Sequence, residues 1–470
     1  MNRIVYTLCF VWVFSPLQSQ EKTIKLSLAE AINYALENSF NNKVAEKDIE
    51  SAEKVVWETT STGLPQINAS VAYQNFLKQP VSLLPAAAFD NTLSTVQTVE
   101  EYFDLQANST PKTPEGFIPV VFGTEQNANA TVTLTQLLFD GSYIVGLQAA
   151  KTFLKISEQS KEKTELVTRE AIINAYGNVL VTESSLTIIE KDLKILEKNY
   201  SDAKKIYENG FNEEEDVEQL EITLGNLKSQ LNSVKRLKVI AYQMLNLALG
   251  NPIDTGLILT DTLGSLAENN IDLNLIASEF NVTEHIDFRI AENDRETKRL
   301  MLRLEKSKYL PSLNAFVNYG TQSFSDTFTF FDGGQRWFQS SMVGVNLNVP
   351  IFSSFGRKSK TAQAKIALET ADLSLEETKK KLNLEAQRAK SDYQLSIENY
   401  QTSKRNVSLS ERIEKKQRLK FFEGLSSSFD LLQAQNQLYT QQQNYLQSML
   451  DVISKKAALE NALNLPLKNN

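Results

Sequence analysis

From about Ser142 to Tyr207 the chain reads as a single helical pattern with no proline in it. At 1.5 Å per residue such a helix runs for roughly 100 Å, far beyond what an ordinary globular domain uses. A second pattern of the same kind runs from about Arg357 to Phe422. Each ends on a glycine: "YENGFNEEEDVEQL" after the first and "FFEGLSSSFDLLQAQ" after the second. In each, an aromatic precedes the glycine by three residues and an aspartate follows it by six. Gly210 and Gly424 differ by 214 positions, as do Asp216 and Asp430 (424 − 210 and 430 − 216). Glycine tolerates the positive φ that ends a helix, so both stretches predict an α-helical hairpin.

The return helices carry coiled-coil seams. Leu220, Leu224, Leu227, Leu231 and Val234 step by 4, 3, 4, 3, up to about Leu249, where "GNPIDTG" breaks the pattern. Leu431, Leu438, Tyr445 and Val452 recur every seven residues. On the second long helix Leu382, Ala386, Ala389, Tyr393, Ile397 and Tyr400 form a similar stripe. Near the start, "SLAEAINYALENS" places Ser27 and Glu30 in capping-box spacing and predicts a helix continuing to about Thr60.

Between the helices the period changes to two. Ile67, Ala69, Val71 and Tyr73 alternate with polar or small residues, as do Ala128, Ala130, Val132 and Leu134, predicting two strands separated by a polar, proline-bearing loop of some 50 residues. The second half repeats the order: Pro311 matches Pro65 and Ala291 matches Ala45 at a constant shift of 246. Strands are then predicted through Leu313–Tyr319 and Val343–Val349. The chain therefore reads as a tandem duplication of helix, two strands and a long helical hairpin. The first repeat spans 21–250, an intervening segment 251–282, the second repeat 283–465 and a short tail 466–470.

The opening "MNRIVYTLCFVWVFSPLQSQ" has a basic residue, an apolar stretch from Ile4 to Phe14 and then small and polar residues, which predicts a secretory signal peptide over 1–20. Cys9, the one cysteine, lies inside it, so the mature chain is expected to hold no disulfide. No later window is apolar for 18 residues, so a transmembrane helix is not expected, which leaves a β-barrel as the way to span a membrane. A formal charge of −8 without a basic run argues against a nucleic-acid partner.

Alternation alone fits a soluble sheet with one wet face as well as a membrane sheet. Four strands cannot close a barrel, and open edges are not tolerated in lipid, so membrane strands of this number imply several chains sharing one barrel. Phe76, Tyr319, Phe324, Phe328, Phe330, Phe331, Trp337 and Phe338 cluster at strand ends in the manner of an aromatic girdle. "QAQNQLYTQQQNYLQ" holds seven glutamines in fifteen residues, too polar for a helix buried all round; one face is expected to meet water.

"LSLAEAINYALENS", the strand ends "QLLFDG" and "VPIFSSFG", and the paired glycine turns resemble the TolC family of outer-membrane efflux proteins, over essentially the whole mature chain. The resemblance implies a mixed, mostly α fold. It has long antiparallel helical hairpins forming a periplasmic α-barrel, and four transmembrane strands per protomer in a trimeric twelve-stranded β-barrel. It implies a homotrimer in outer-membrane lipid, with its tunnel extending into the periplasm, serving as the passive exit duct of a tripartite efflux or type I secretion system. The partners implied are a periplasmic adaptor and an inner-membrane transporter. The hairpin tips Gly210, Phe211, Gly424 and Leu425 would dock the adaptor. Asp430 occupies the family's constricting aspartate position; the second ring position is Gln433, which leaves one ring. The family's gate uses a tyrosine three residues before the second glycine and an arginine two after it. Here these are Phe421 and Ser426, with Asp216 as the first-repeat counterpart, so the closed state is expected to be held differently or weakly.

No Cys/His cluster, G-x-S-x-G or P-loop appears; "GRKSK" at 356–360 lacks the P-loop's leading glycine and spacing. The single histidine, His285, reads as a surface helix residue. Neither an enzyme nor a cofactor is expected. A soluble periplasmic coiled-coil adaptor is the alternative, disfavoured because an adaptor carries one hairpin, not two.

Overall fold

A computed structural model describes residues 24–89, 91–104, 115–210 and 213–465; the signal segment, Phe211 and the tail 466–470 lie outside the described residues. The elements run β1 (Ile24–Leu26), α1 (Leu28–Asn38), α2 (Phe40–Ser61), β2 (Gln66–Asn75), β3 (Val81–Pro85), α3 (Thr92–Phe103), β4 (Phe117–Val121), β5 (Gln126–Asp140), α4 (Gly141–Glu208), α5 (Glu214–Leu249), β6 (Leu257–Leu259), α6 (Leu263–Asn269), α7 (Leu273–Ala277), α8 (Ile286–Ser307), β7 (Ser312–Ser325), β8 (Phe338–Asn348), α9 (Gly356–Phe422) and α10 (Ser428–Ala462). The helices α4 and α9 have 68 and 67 residues. The described residues form two compact units, those within 1–54, 149–300 and 364–470 in one and those within 55–148 and 301–363 in the other.

The first unit is helical. Its main core gathers one face from each of the long helices, including Tyr176 and Leu245 of the first repeat and Tyr393, Val452 and Leu459 of the second. The predicted seams are the buried ones: Leu220, Leu224 and Val234 on α5, Leu382, Ala386, Tyr393 and Ile397 on α9, Leu431 and Val452 on α10. The segment 251–282 is pinned to this core through polar groups. The Tyr176 hydroxyl lies 2.8 Å from the Asp261 carboxylate, which also accepts the Leu28 N–H at 2.7 Å. The Tyr393 hydroxyl donates to the Asn270 carbonyl at 2.6 Å and accepts the Asp272 N–H at 2.8 Å. The β1–β6 pair, Ile24↔Leu257 to Leu26↔Leu259, is parallel.

Two sequence expectations are corrected here. The first helix does not run unbroken to Thr60: Ser39 is extended (φ −61°, ψ 145°) and separates α1 from α2. The break lets Gly250, at φ +81°, approach so closely that a Cβ there would stand 2.3 Å from the Asn38 carbonyl oxygen. His285 is not on a surface helix. It is 5% exposed, follows a one-turn 3-10 segment (Val282–Glu284), and its Nδ1 accepts the Asp287 N–H at 3.1 Å. Burial holds its imidazole below the ordinary pKa, so the neutral ring is favoured.

The second unit is built on one antiparallel sheet, in the order β2-β5-β7-β8. The register pairs Ile67↔Leu134↔Val317↔Val343 and Ala69↔Val132↔Tyr319↔Ser341, so the apolar sets read from the four strands fall on one face. Val71 is 81% exposed, Val343 77% and Val345 63%; this face is unburied within one chain. On the opposite face Asn68, Thr133, Asn318 and Met342 stand in line. There Phe316 lies over Gly344, where a Cβ would meet the ring at 2.6 Å. A bulge at Leu138 interrupts the β5–β7 ladder, which resumes with Phe139↔Leu313 and Asp140↔Ser312. The strands β2 and β8 are sheet edges, each paired on one side only.

The segment between β2 and β5 is not the plain loop that its prolines suggest. Val81–Pro85 and Phe117–Val121 pair antiparallel, and α3 lies between them in sequence. Short alternating apolar runs flanked by proline made these strands hard to see. The aromatic group at the far strand ends is partly packed on itself: Tyr73 meets Phe328 and Phe330 edge-on at 5.5 and 5.8 Å, and Phe330 is 6% exposed while Phe331 is 89% exposed.

Gly250→Ala carries both a positive φ and a clash with backbone, so it should cost more than the ~1 kcal/mol of a left-handed alanine alone. Gly264→Ala, in open space within α6, should be neutral or slightly stabilising. Thermal unfolding of the two variants side by side checks this, and equal midpoints would contradict it.

Candidate functional site

The tips of the two hairpins lie in the helical unit and concentrate the residues singled out from sequence. Gly210 (φ +78°) and Gly424 (φ +70°) both use the left-handed conformation. A Cβ on either would meet nothing within 4 Å, so what each turn needs is glycine's φ, not its smallness. The Gly210 N–H donates to the Tyr207 carbonyl at 2.7 Å; at the second tip the Gly424 N–H donates to Phe421 and the Leu425 N–H to Lys420, at 3.0 and 2.8 Å. Leu425 is 72% exposed, with Phe429 beside it at 65%.

Asp430 sits in the first turn of α10. The Ser427 hydroxyl accepts the Asp430 N–H at 3.3 Å, and the Asp430 carboxylate takes the Ser427 N–H at 3.3 Å, the Ser427 hydroxyl at 2.9 Å and the Ser426 hydroxyl at 3.2 Å. This is a capping box. The Ser427 hydroxyl above all, then the Ser427 amide and Ser426, holds the carboxyl below its usual pKa, so it stays charged. Gln433 is exposed one turn on, and Gln437, Thr440, Asn444 and Gln447 continue the same wet stripe along α10.

The equivalent aspartate does something else. The position matching Ser427 is Glu213 (427 − 214), which makes no side-chain cap. Asp216 is free of that duty and reaches across: its carboxylate accepts the Ser428 N–H of the other hairpin at 3.2 Å. Gln219 accepts the Ser428 hydroxyl at 3.0 Å. Ser428 is 2% exposed, so this junction is sheltered from water. Beneath it a small apolar cluster, Leu196, Ala203, Leu220, Leu224, Phe421 and Leu431, joins all four long helices. Phe421 thus contributes packing, 7% exposed, and Ser426 a weak hydroxyl contact to Gln417 at 3.4 Å and to Asp430.

Farther from the tips than the cluster, the four helices part around a cavity of about 190 Å³ lined by Asp192, Gln230, Glu414, Gln435 and Tyr439, among others. Gln230 donates to the Tyr439 hydroxyl. The Gln435 Oε1 is buried without a partner among the described residues. Burial pushes the Asp192 carboxyl up to about 6; Lys191 opposes the shift, and Glu414 and Glu411 add to it. Glu414 is 7% exposed, with Arg418 at 3.6 Å. Neither Asp192 nor Glu414 was singled out from sequence. A signal existed for Glu414: it continues the seven-residue step from Tyr400 and Val407 toward Phe421, a core position occupied by a charge.

Among the described residues no group of three or more His, Cys, Asp or Glu is arranged to hold a metal, and no helix is long and apolar enough to cross a membrane. Residues 283–465 match the family described as Outer membrane efflux protein. No curated protein sequence matches the chain. Among solved structures, the outer membrane protein VceC of Vibrio cholerae superposes with a TM-score of 0.66 at 16% identity, covering 93% of this chain and 95% of that one. CusC, described in terms of folding and transmembrane channel formation, gives 0.70 at 15%, covering 94% and 92%. The CmeC outer membrane channel of Campylobacter jejuni gives 0.67 at 16%, covering 93% and 85%. At such identities these likenesses establish the fold. The family match thus covers the second repeat, and the fold of the chain as a whole is that of these solved outer-membrane proteins.

Proposed function

We propose that this chain is the outer-membrane exit duct of a tripartite efflux or type I secretion system, passing substrates passively from a periplasmic adaptor and an inner-membrane pump to the exterior. One observation carries the reading: a four-stranded sheet whose apolar residues share one exposed face and whose edges β2 and β8 are both open. Such a sheet is stable in lipid only when other chains complete it, and three copies make twelve strands. The duct stands in the outer membrane, with its helical tunnel in the periplasm. A soluble adaptor is not favoured, because it has no use for a lipid-facing sheet. Transport here needs no reaction chemistry, so we assign the chain no enzymatic role; the energy comes from the pump.

In this reading Asp430 lies at the constriction, with Gln433 as its uncharged neighbour. The capping box keeps Asp430 ionised, so three copies make a negative throat that favours cations. The tips Gly210, Phe211, Gly424 and Leu425 form the adaptor-docking end; Leu425 supplies exposed apolar surface. The gate is the junction of Asp216 and Gln219 with Ser428, backed by Phe421 in the apolar cluster and Ser426 beside the cap. Hydrogen bonds to a charged acceptor and hydrophobic packing take the place of the family's tyrosine and arginine.

Three measurements test this. The mature chain reconstituted in planar bilayers should give discrete, cation-preferring conductance, and Asp430→Ala should weaken both the preference and block by divalent cations; unchanged selectivity would remove Asp430 from the throat. Asp216→Ala should loosen closure by about 1 kcal/mol, roughly a fivefold gain in open events; Glu213→Ala, which removes no cross-hairpin bond, should leave gating unchanged. The raised Asp192 pKa fixes a sign for acid dependence. Its stabilising neutral form is fully present below the ordinary carboxylate range and is lost as pH rises through about 6. Amide protection factors around this cavity, with the intrinsic pH dependence of exchange divided out, should therefore be higher at pH 5 than at pH 7.5, and Asp192→Asn should remove most of that difference.

A further inference from the structure

The "GRKSK" stretch has no place in the duct's conduction or gating. It lies in the sheet-containing unit, where β8 leads into α9. The apolar face of β8, Val343, Val345 and Leu347, continues without a break into Val349 and Ile351, the last 91% exposed. Phe352 (74% exposed) and Phe355 (68%) follow, edge to face at 6.1 Å. Ser354 and Phe355 both hold positive φ, +49° and +65°, a conformation that L side chains rarely adopt. That turn presents Phe355 to the outside, where Lys358 stands over its ring at 6.0 Å. Arg357 stacks on Tyr309 at 5.4 Å and donates through Nε to the Ser353 hydroxyl at 3.1 Å. Lys360 is exposed on the same turn, and neither it nor Lys358 pairs with an acid among the described residues.

The first repeat does not share this. There the equivalent strand end is Phe139-Asp140-Gly141, Asp140 caps the helix through the Ser142 N–H at 2.6 Å, and no cation appears before Lys151. The cations are therefore not a requirement of the strand-to-helix turn. Arg357 is tied to the turn through Ser353 and the Lys308 carbonyl, but Lys358 and Lys360 do nothing for the start of α9, since a helix start favours acids.

We infer that Phe352, Phe355, Arg357, Lys358 and Lys360 form a recognition surface for anionic phospholipid headgroups in the leaflet next to the helices, the rings seated at the acyl boundary and the cations on the phosphodiester. The occupant follows from two features: the patch continues a face that already demands hydrocarbon, and its charge complements phosphate. The inference rests on the membrane-spanning reading of the sheet.

The test is native mass spectrometry of the mature protein in detergent, titrated with phosphatidylglycerol or phosphatidylcholine. Wild type should retain phosphatidylglycerol on the order of tenfold better. K358Q/K360Q, which breaks no internal hydrogen bond, should bring the two lipids to near parity with oligomer mass and circular dichroism unchanged. K365Q, on the next turns of α9, should keep the preference. Equal retention by wild type, or an undiminished preference in the double variant, overturns the inference. So does displacement of the phosphatidylglycerol by inorganic phosphate, which would assign the cations to a free anion. A chain that never enters lipid bilayers overturns the membrane-spanning reading itself, an outcome separable from loss of headgroup preference.

Discussion

Hydrocarbon offers a backbone N–H or C=O nothing to bond, so a sheet that enters it must have no open edge. Everything distinctive in this chain follows from breaking that rule within one copy. The ladder β2-β5-β7-β8 satisfies its inner strands and leaves two edges bare. The alternating apolar set falls on one face, where Val71, Val343 and Val345 stay exposed within one chain. The seams of α4, α5, α9 and α10 do find partners inside the chain. The helical unit is thus complete in itself, while the sheet would be completed only in the proposed shared barrel.

What could be read from the residues was whatever repeats with a fixed period. The alternation of Ile67–Tyr73 and Val343–Val349 named both the strands and the face they present, because a one-residue slip would reverse every side chain. The seams on α5, α9 and α10 were legible for the same reason. What could not be read were features decided by one close approach. Nothing local in "ALENSFNNK" announces that Ser39 leaves the helix; the reason lies at Gly250, far along the chain. His285 was misplaced because its burial depends on distant packing, and β3 and β4 because short runs broken by proline carry little periodic signal.

The tip residues show the same limit more finely. Sequence put Asp216 and Asp430 in equivalent places and gave no hint that their bonds differ. The difference comes from one substitution between the repeats, serine at 427 against glutamate at 213. A serine there satisfies its own helix and occupies Asp430; a glutamate does not, and Asp216 turns to the neighbouring hairpin. Asp192 was invisible for a simpler reason: a single charge on an amphipathic helix is usually a solvated one.

The three-way hold on Asp430 has a mechanical meaning. Its carboxylate is tied to Ser426 and Ser427 at the root of α10, so swinging about its own side-chain torsions breaks three hydrogen bonds, the reciprocal half of the capping box among them. The negative charge therefore rides on the rod. Any displacement of that charge must come from tilting or sliding of α10 as a whole, so in the proposed duct the width of the charged throat would report helix position.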